Sequence, residues 1–312
     1  MMSRMTDDMA TQAAASPPPL VSIIIPTYNY GRYVAKAIRS CLDQNYGSLE
    51  IIVVDDGSVD DTAEIVRGFG TRVVYIFQEN RGVSAARNAG LHRAGGSFVA
   101  FLDADDYLME DSVAVRAEVL QNHPDIGIVF TDTYSSDGEG NVYYHGRGRK
   151  DRVSDRFYED LLLRHLRFQT SAAMIRAPLA KRFLFPVHLS NGEDVVYFSK
   201  VFFASRGCFL AKPTVVNLHH DDSLRHDVNE ILRQGMSFVT AILDDPFYEG
   251  GLEYMRKELT SKRHLELFRR LYRAKEGARA REHYVKALRV RPASALNLSY
   301  LSKAVRSLFL PK

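Results

Sequence analysis

From Leu20 onward the chain alternates two patterns of apolar positions. Short unbroken runs, Ile23-Ile24-Ile25 in "LVSIIIPTYN" and Ile51 to Val54 in "LEIIVVDDGS", are followed by stretches with apolar residues every three or four positions: "GRYVAKAIRSCLDQ", "VDDTAEIVRGFG" and "VSAARNAGLHRA". An unbroken run predicts a strand covered on both faces, and the wider spacing predicts a helix with one buried stripe. "TRVVYIFQEN" and "SFVAFLDADD" continue the series as strands. Repeated strand-helix units with right-handed crossovers predict an α/β fold built on a doubly wound, mostly parallel sheet. The polar residues that close the runs are Thr27-Tyr28-Asn29, Asp55-Asp56-Gly57-Ser58, Glu79-Asn80 and Asp103 to Asp106. They fall at the carboxyl ends of the strands, where such sheets bind ligands.

Beyond Asp111 the pattern predicts a helix to about Gln121, a strand over "IGIVFTDTY", a turn at "SDGEGN" and a further short strand. A basic, Gly-containing loop, "YYHGRGRKDR", precedes helix, strand and helix within "DLLLRHLRFQTSAAMIRAPLAKRF". "LSNGEDVVYFSKVFF" reads as a helix that Ser190 or Asn191 would cap, with Glu193 and Asp194 in its first turn, where acidic side chains suit the helix dipole. From Asp227 the β-rich runs cease and helical spacing continues to Leu310. The predicted organisation is a flexible leader over residues 1–19, an α/β domain over 20–226 divided near residue 110, and a helical extension over 227–312.

Composition adds to this picture. With 46% hydrophobic and 25% charged residues in 312, the chain is globular and not disordered. Its 41 basic and 38 acidic residues are unevenly placed: 16 basic against 4 acidic from Met255 to Lys312, and 25 against 34 before it. An acidic body thus carries a basic tail. Two cysteines, Cys41 and Cys208, form no disulfide framework or metal-ligand spacing and read as core residues of a protein in a reducing compartment. The first nineteen residues lack the layout of a signal peptide, and no apolar run is long enough to span a bilayer. A cytoplasmic location, with contact at the inner face of the membrane through the tail, follows as the expectation.

The chemistry concentrates in "FLDADD". In an extended segment residues i and i+2 point the same way, so Asp103 and Asp105 share a side. Paired carboxylates at a strand end suit Mg²⁺ or Mn²⁺, which take one or two carboxylates and complete their shell with substrate phosphates.

Taken in order, "VSIIIPTYN", "IIVVDDGSVDDT", "ENRGVSAARNAGL" and "FLDADD" resemble the family 2 glycosyltransferases, inverting enzymes of the GT-A fold that use a nucleotide-diphosphate sugar. The resemblance covers residues 20 to about 226. It implies a GT-A sheet with a C-terminal helical extension, and a nucleotide-binding part (20–110) followed by an acceptor part (111–226). Thr27 and Tyr28 would lie against the nucleotide, Asp56 would accept from the base N–H, Arg87 would approach the base or diphosphate, and Asp103 the ribose. Asp105 would hold the metal. An imide N–H needs an acceptor and a diphosphate needs a cation and a guanidinium, so the residue types suit those roles. The E-D pair, Glu193-Asp194, stands where the family carries its catalytic base, with Asp194 in that role and Glu193 as the alternative. "NLHHDDS" resembles a later R-x-H-x-x-S segment, with His220 and Ser223 matching and Leu218 in place of the Arg. His220 would complete the metal shell or touch the diphosphate. The chain also lacks the Gly-x-Phe-Asp approach to the E-D pair and the aromatic residue after it, a departure on the acceptor side.

The expected activity is metal-dependent transfer, with inversion, of a sugar from a nucleotide-diphosphate donor such as a UDP-sugar to a hydroxyl on a glycan or lipid-linked acceptor, as in cell-surface polysaccharide or glycan synthesis. No nucleic-acid partner is expected. Sugar nucleotidyl transfer is the rival enzyme reading, disfavoured because "PTYNYGRY" is a poor phosphate loop; dinucleotide-dependent oxidation lacks a G-x-G-x-x-G. A non-catalytic nucleotide-sugar binding or scaffold protein is the rival outside enzymes. In the tail, "FRRLYRAKEGARAREHYVKALRV" admits three readings: an amphipathic helix on anionic lipid, half of a tetratricopeptide-type pair, or helices packed on the main domain.

Overall fold

The computed structural model describes residues 17–144, 146–189, 191–219 and 235–309. Most of the expected leader and the expected boundary near residue 227 lie outside the described residues.

The first half follows the apolar pattern closely. β1 (Val21–Thr27), α1 (Gly31–Leu42), β2 (Leu49–Asp55), α2 (Thr62–Arg67), β3 (Val74–Phe77), α3 (Val83–Arg93) and β4 (Phe98–Phe101) alternate as predicted. The four strands pair in parallel in the order β3-β2-β1-β4. Unbroken apolar runs are needed because successive side chains enter different cores: Val21, Ile23 and Ile25 pack on one side of the sheet and Ile24 on the other. Ile51 and Val53 divide from Ile52 and Val54 in the same way. Each such side chain, once buried, contributes about 1.5–3 kcal/mol, so a polar residue within these runs would be costly.

The second half mixes directions. β5 (Tyr107–Leu108), α4 (Ser112–Asn122), β6 (Ile126–Ser136), β7 (Val142–Tyr144), β8 (Arg152–Ser154), α5 (Phe157–Leu162), β9 (Ala173–Arg176), α6 (Ala177–Arg182), α7 (Glu193–Ala204) and β10 (Arg206–Leu218) follow. The sheet continues from β4 through β9, β6 and β10 to β5. β9 runs antiparallel to both β4 and β6, whereas β6 and β10 are parallel. The parallel character thus holds in two blocks with one reversed strand between them. One core nonetheless runs under both halves, since Val21 and Ile38 share a cluster with Ile126, Met174 and Cys208. Cys41 and Cys208 are buried as expected, and burial pushes the Cys41 thiol up to about 12.

The extension is helical: α8 (Ser237–Leu243), α9 (Arg256–Arg273), α10 (Gly277–Val290), α11 (Pro292–Ala295) and α12 (Leu298–Arg306). It is docked on the main domain, because Val239, Ile242, Tyr248 and Leu259 bury against Leu162 and Leu189 and against Val196 of α7. α9 and α10 pack on each other through Phe268, Leu271, Tyr284 and Ala287. The apolar side of "FRRLYRAKEGARAREHYVKALRV" is therefore turned into a helix pair. That packing accounts for Phe268, Leu271, Tyr284 and Ala287, while Val285 of the same segment stays 41% exposed.

Candidate active site

The strand order places the site. From β1 the chain builds outward through β2 and β3, then returns to β4 on the other side, so a crevice opens at the carboxyl ends of β1 and β4. Thr27 ends β1, and Asp103 lies two residues beyond β4. α3 crosses back over β1, with Gly90 so close to Ile24 that an added Cβ would sit 2.3 Å from its side chain. Six helix residues toward its start span about 9 Å, or about three strand residues, which brings Ser84 level with Thr27.

Arg87, one turn further along α3, is the hub. Its Nη2 donates to Asp103 Oδ1 and its Nη1 to Glu193 Oε1, both at 2.9 Å. The guanidinium carbon lies 5.2 Å over the Phe185 ring. Burial works against its charge, but the two carboxylates outweigh it and hold the group protonated, above its ordinary value. Glu193 is pushed up, first by burial and then by the charge of neighbouring Asp194, with Arg87 opposing both. Phe185 is fixed in turn by Asn88, which donates to its carbonyl at 2.9 Å and accepts from its amide at 2.8 Å. One helix thus joins three sequence-predicted residues, Arg87, Asp103 and Glu193, with Asp194 adjacent.

The E-D pair occupies the first turn of α7, as expected. The helix is entered through Gly192, which holds the cap position in the left-handed conformation (φ 81°); Ser190, one of the two expected caps, lies outside the described residues. Glycine is needed there for a second reason: an added Cβ would meet the Phe238 ring at 2.8 Å. The half-buried Asp194 has one carboxylate oxygen accepting from the amide of Val195 at 2.8 Å.

The three carboxylates of "DADD" have separate situations. Asp103 Oδ1 faces Arg87, and its amide donates to Ser171 Oγ. Asp106 turns inward: Ser171 Oγ and Asn217 Nδ2 donate to its Oδ2 at 2.8 and 2.6 Å, and the Leu218 amide to Oδ1 at 3.2 Å. Burial, with the charges of Asp103 and Asp105 added, raises the Asp106 carboxyl well above the usual carboxylate range. Asp105 is half-buried between them. The excess negative charge and the all-oxygen donor set fit a hard divalent cation supplied with further oxygens by a ligand. Among the described residues no three metal-ligating side chains converge. His220 lies outside the described residues, although β10, which leads to it, ends within hydrogen-bond reach of Asp106.

Asp56, expected to accept from the base N–H, is also engaged by the protein itself. Its carboxylate, on a residue only 3% exposed, accepts from Gln78 Nε2 and from the amides of Arg81 and Gly82 at 2.6, 2.9 and 2.7 Å. Those bonds make it the anchor of the loop that leads into α3. Asp55 is tied likewise, to the Ser58 amide and the Tyr75 hydroxyl. Tyr28, the residue after β1, stands 45% exposed at the mouth of the crevice.

Among the described residues four buried side-chain atoms have no partner: Thr27 Oγ1, Ser84 Oγ, Arg87 Nε and Asn217 Oδ1. Buried polar atoms are rarely left unpaired. The first three lie along the β1 and α3 side of the crevice, and a polar ligand there would satisfy them. Sequence reasoning missed Ser84, detectable as the residue one helical turn before Arg87. It also missed Ser171, Asn217 and Arg116, which carry no local signal. Arg116 is wholly buried and has no carboxylate partner among the described residues; its Nη1 donates to the carbonyls of Ser171 and Ala173, and burial pulls it down to about 10. It holds the segment whose Ser171 clamps Asp103 and Asp106.

The sequence model described as glycosyl transferase family 2 matches residues 22–183, just over half of the chain. The chain belongs to glycosyl transferase family 2. Its curated family relatives include glycosyltransferase GlyG of Streptococcus pneumoniae serotype 4, 33% identical over 184 residues that make up 56% of this chain and 61% of GlyG. Escherichia coli chondroitin synthase is 32% identical over 158 residues, 50% of this chain and 23% of the synthase. The chain thus spans between about a quarter and three fifths of the length of these two relatives. Among solved structures, Staphylococcus aureus TarS 1-349 in complex with UDP superposes with a TM-score of 0.59 at 18% identity, over 93% of this chain and 91% of that one. Mannosyltransferase PcManGT from Pyrobaculum calidifontis, in complex with GDP-Man and Mn²⁺, gives 0.55 at 21% identity, over 94% and 85%. At such identities the likeness speaks for the fold, the GT-A arrangement with its helical C-terminal region.

Proposed function

We propose that this chain is an inverting glycosyltransferase that passes a sugar from a nucleoside-diphosphate donor, most simply a UDP-sugar, to a hydroxyl acceptor. The observation that carries this reading is the crevice between β1 and β4, where Arg87 joins Asp103 to Glu193 beside unpaired Thr27 Oγ1 and Ser84 Oγ. Domain boundaries at residues 20, 110 and 227 belong to the same proposal.

The nucleotide enters over the carboxyl end of β1, its base against Tyr28 and its polar edge toward Thr27. Asp56 acts by holding the loop before α3 and not as the principal base acceptor, since its donors are already protein groups. Asp103, fixed by Arg87 and Ser171, presents its second oxygen to the ribose. Asp105, with His220 as a further candidate ligand, would hold Mn²⁺ or Mg²⁺, which when bound offsets the charge of the departing diphosphate. Asp194 takes the proton of the acceptor hydroxyl; the oxygen attacks the anomeric carbon, and the bond from that carbon to the diphosphate oxygen breaks on the opposite face. Arg87 keeps Glu193 in place and shields Asp194 from a second uncompensated charge.

The related chondroitin synthase and the UDP complex of TarS lend weight to a UDP-sugar and to polysaccharide or glycan synthesis. A cytoplasmic setting at the inner membrane face suits a lipid-linked acceptor; no described helix is long and apolar enough to cross a membrane. The test is a screen of nucleotide sugars for release of nucleoside diphosphate, with and without Mn²⁺. Release from one donor, dependent on an acceptor, is expected; binding of donors without turnover across acceptors would favour a binding protein instead.

A further inference from the structure

A second site lies away from the crevice. Between the end of α5, α8 and α9 is a cleft of about 460 Å³, with Phe238, Ile242 and Leu259 supplying an apolar lining. Six cations border it, Arg164, Lys262, Arg263, Arg269, Arg270 and Arg273, against one acid, Glu266. That carboxylate is already shared by three guanidiniums, Arg164 at 3.0 Å, Arg263 at 2.9 Å and Arg270 at 3.5 Å. Burial acts to raise Glu266, but these charges outweigh it and hold the carboxyl below its ordinary range. Arg269 and Arg273 are exposed, one turn apart on α9, and among the described residues neither has an ion-pair partner. A concave surface with so large a surplus of positive charge is a site for an anion with several oxygens.

The adjoining helix adds an apolar requirement. Tyr300 of α12 borders the cleft, yet the same helix leaves Leu298 83%, Leu301 42% and Val305 51% exposed, and Leu308 and Phe309 follow at 62% and 85%. Leu298, Leu301, Val305 and Leu308 fall on one face by helical spacing, and Lys303 and Arg306 lie on the same stretch. An uncovered apolar face with cations beside it is what an interfacial helix presents to anionic lipid.

We propose that this cleft is a head-group site for an anionic phospholipid, with the phosphate held by Arg269, Arg270 and Arg273 and the α12 face set into the lipid surface. Phe238 joins this site to the first one, since its ring lies against Gly192, the residue before Glu193. A chain docked through the cleft therefore carries the Glu193-Asp194 turn close to the membrane. The site stands independently of the transfer reading and would hold if no sugar were moved.

The experiment is co-sedimentation of the full chain with phosphatidylcholine vesicles, with and without phosphatidic acid. UDP affinity is measured in parallel, and inorganic pyrophosphate serves as a soluble competitor. Binding only to the acidic vesicles is expected, weakened at least about tenfold by Arg269→Glu/Arg273→Glu and by Leu301→Asp/Val305→Asp, with UDP affinity unchanged. Wild-type vesicle binding by the arginine variant would overturn the proposal, as would equal binding to neutral vesicles. Saturable pyrophosphate binding without any vesicle binding would replace the lipid by a soluble phosphate ligand.

Discussion

Replacing Arg87 by Met keeps an unbranched stem of similar length and removes only the charged fork. The wild-type residue makes two charge-assisted bonds at 2.9 Å, to Glu193 and Asp103, whose side chains are 12% and 32% exposed. Bonds of this kind contribute about 1.5–3 kcal/mol each, and stripping one partner from a buried pair costs about 3–5 kcal/mol. Water can replace part of the interaction at Asp103 but little at Glu193, so the lower end applies, about 3 kcal/mol near pH 7. The deficit should depend on pH with a definite sign. Burial and Asp194 raise the folded-state pKa of Glu193, and Arg87 opposes them; without Arg87 that pKa rises further. A raised carboxyl binds more protons folded than unfolded, so its contribution to stability is present below the unfolded value of about 4.3 and lost as pH climbs through the folded value. Arg87→Met should therefore be most destabilised at neutral and alkaline pH, and the gap to wild type should narrow toward pH 4.3. Urea unfolding followed by circular dichroism over that range measures it. A deficit below about 1 kcal/mol at neutral pH, or one that does not change with pH, would refute the reasoning.

The remaining perturbations separate scaffold from chemistry. Asn88→Ala removes both bonds to the Phe185 backbone and leaves that amide and carbonyl buried, so thermal or urea unfolding should show a loss of about 2–3 kcal/mol. An unchanged midpoint would mean that Phe185 is held by packing alone. Asp105→Ala should leave the unfolding midpoint within about 0.5 kcal/mol of wild type while abolishing any Mn²⁺ dependence of donor affinity, measured by titration calorimetry. Retention of a metal-dependent affinity would place the cation elsewhere.

How far the sequence carries the account varies by residue. β1 to β4 were readable because every position of Ile23 to Ile25 and Ile51 to Val54 must be apolar in a sheet covered on both sides. The same alternation put Thr27 and Asp103 at strand ends. β10 was not readable in the same way, since Lys212-Pro213 interrupts its apolar pattern; the sheet absorbs the interruption as register shifts on either side of Pro213. Asp106, Ser171, Asn217 and Arg116 acquire their meaning from chain segments 55 to 111 positions apart, which no local spacing encodes. The start of α7 is legible from the acidic pair in its first turn, but side-chain preference does not reveal its cap, where the closeness of Phe238 selects glycine. In the tail, helical spacing revealed the apolar stripes of α9 and α10 without saying what covers them; the answer is each other.

The central claim is that Asp194 does the chemistry of a sugar transfer while the Arg87-Asp103 side of the crevice holds the donor. Asp194→Asn keeps the size of the side chain and the helix start but removes the proton acceptor. Single-turnover sugar transfer and nucleoside-diphosphate affinity, measured on the same preparation, separate the two functions. The account predicts that the transfer rate falls by about 10² to 10⁴ while affinity is nearly unchanged, with Glu193→Gln costing less. Transfer at the wild-type rate by Asp194→Asn, with or without loss in Glu193→Gln, would contradict it.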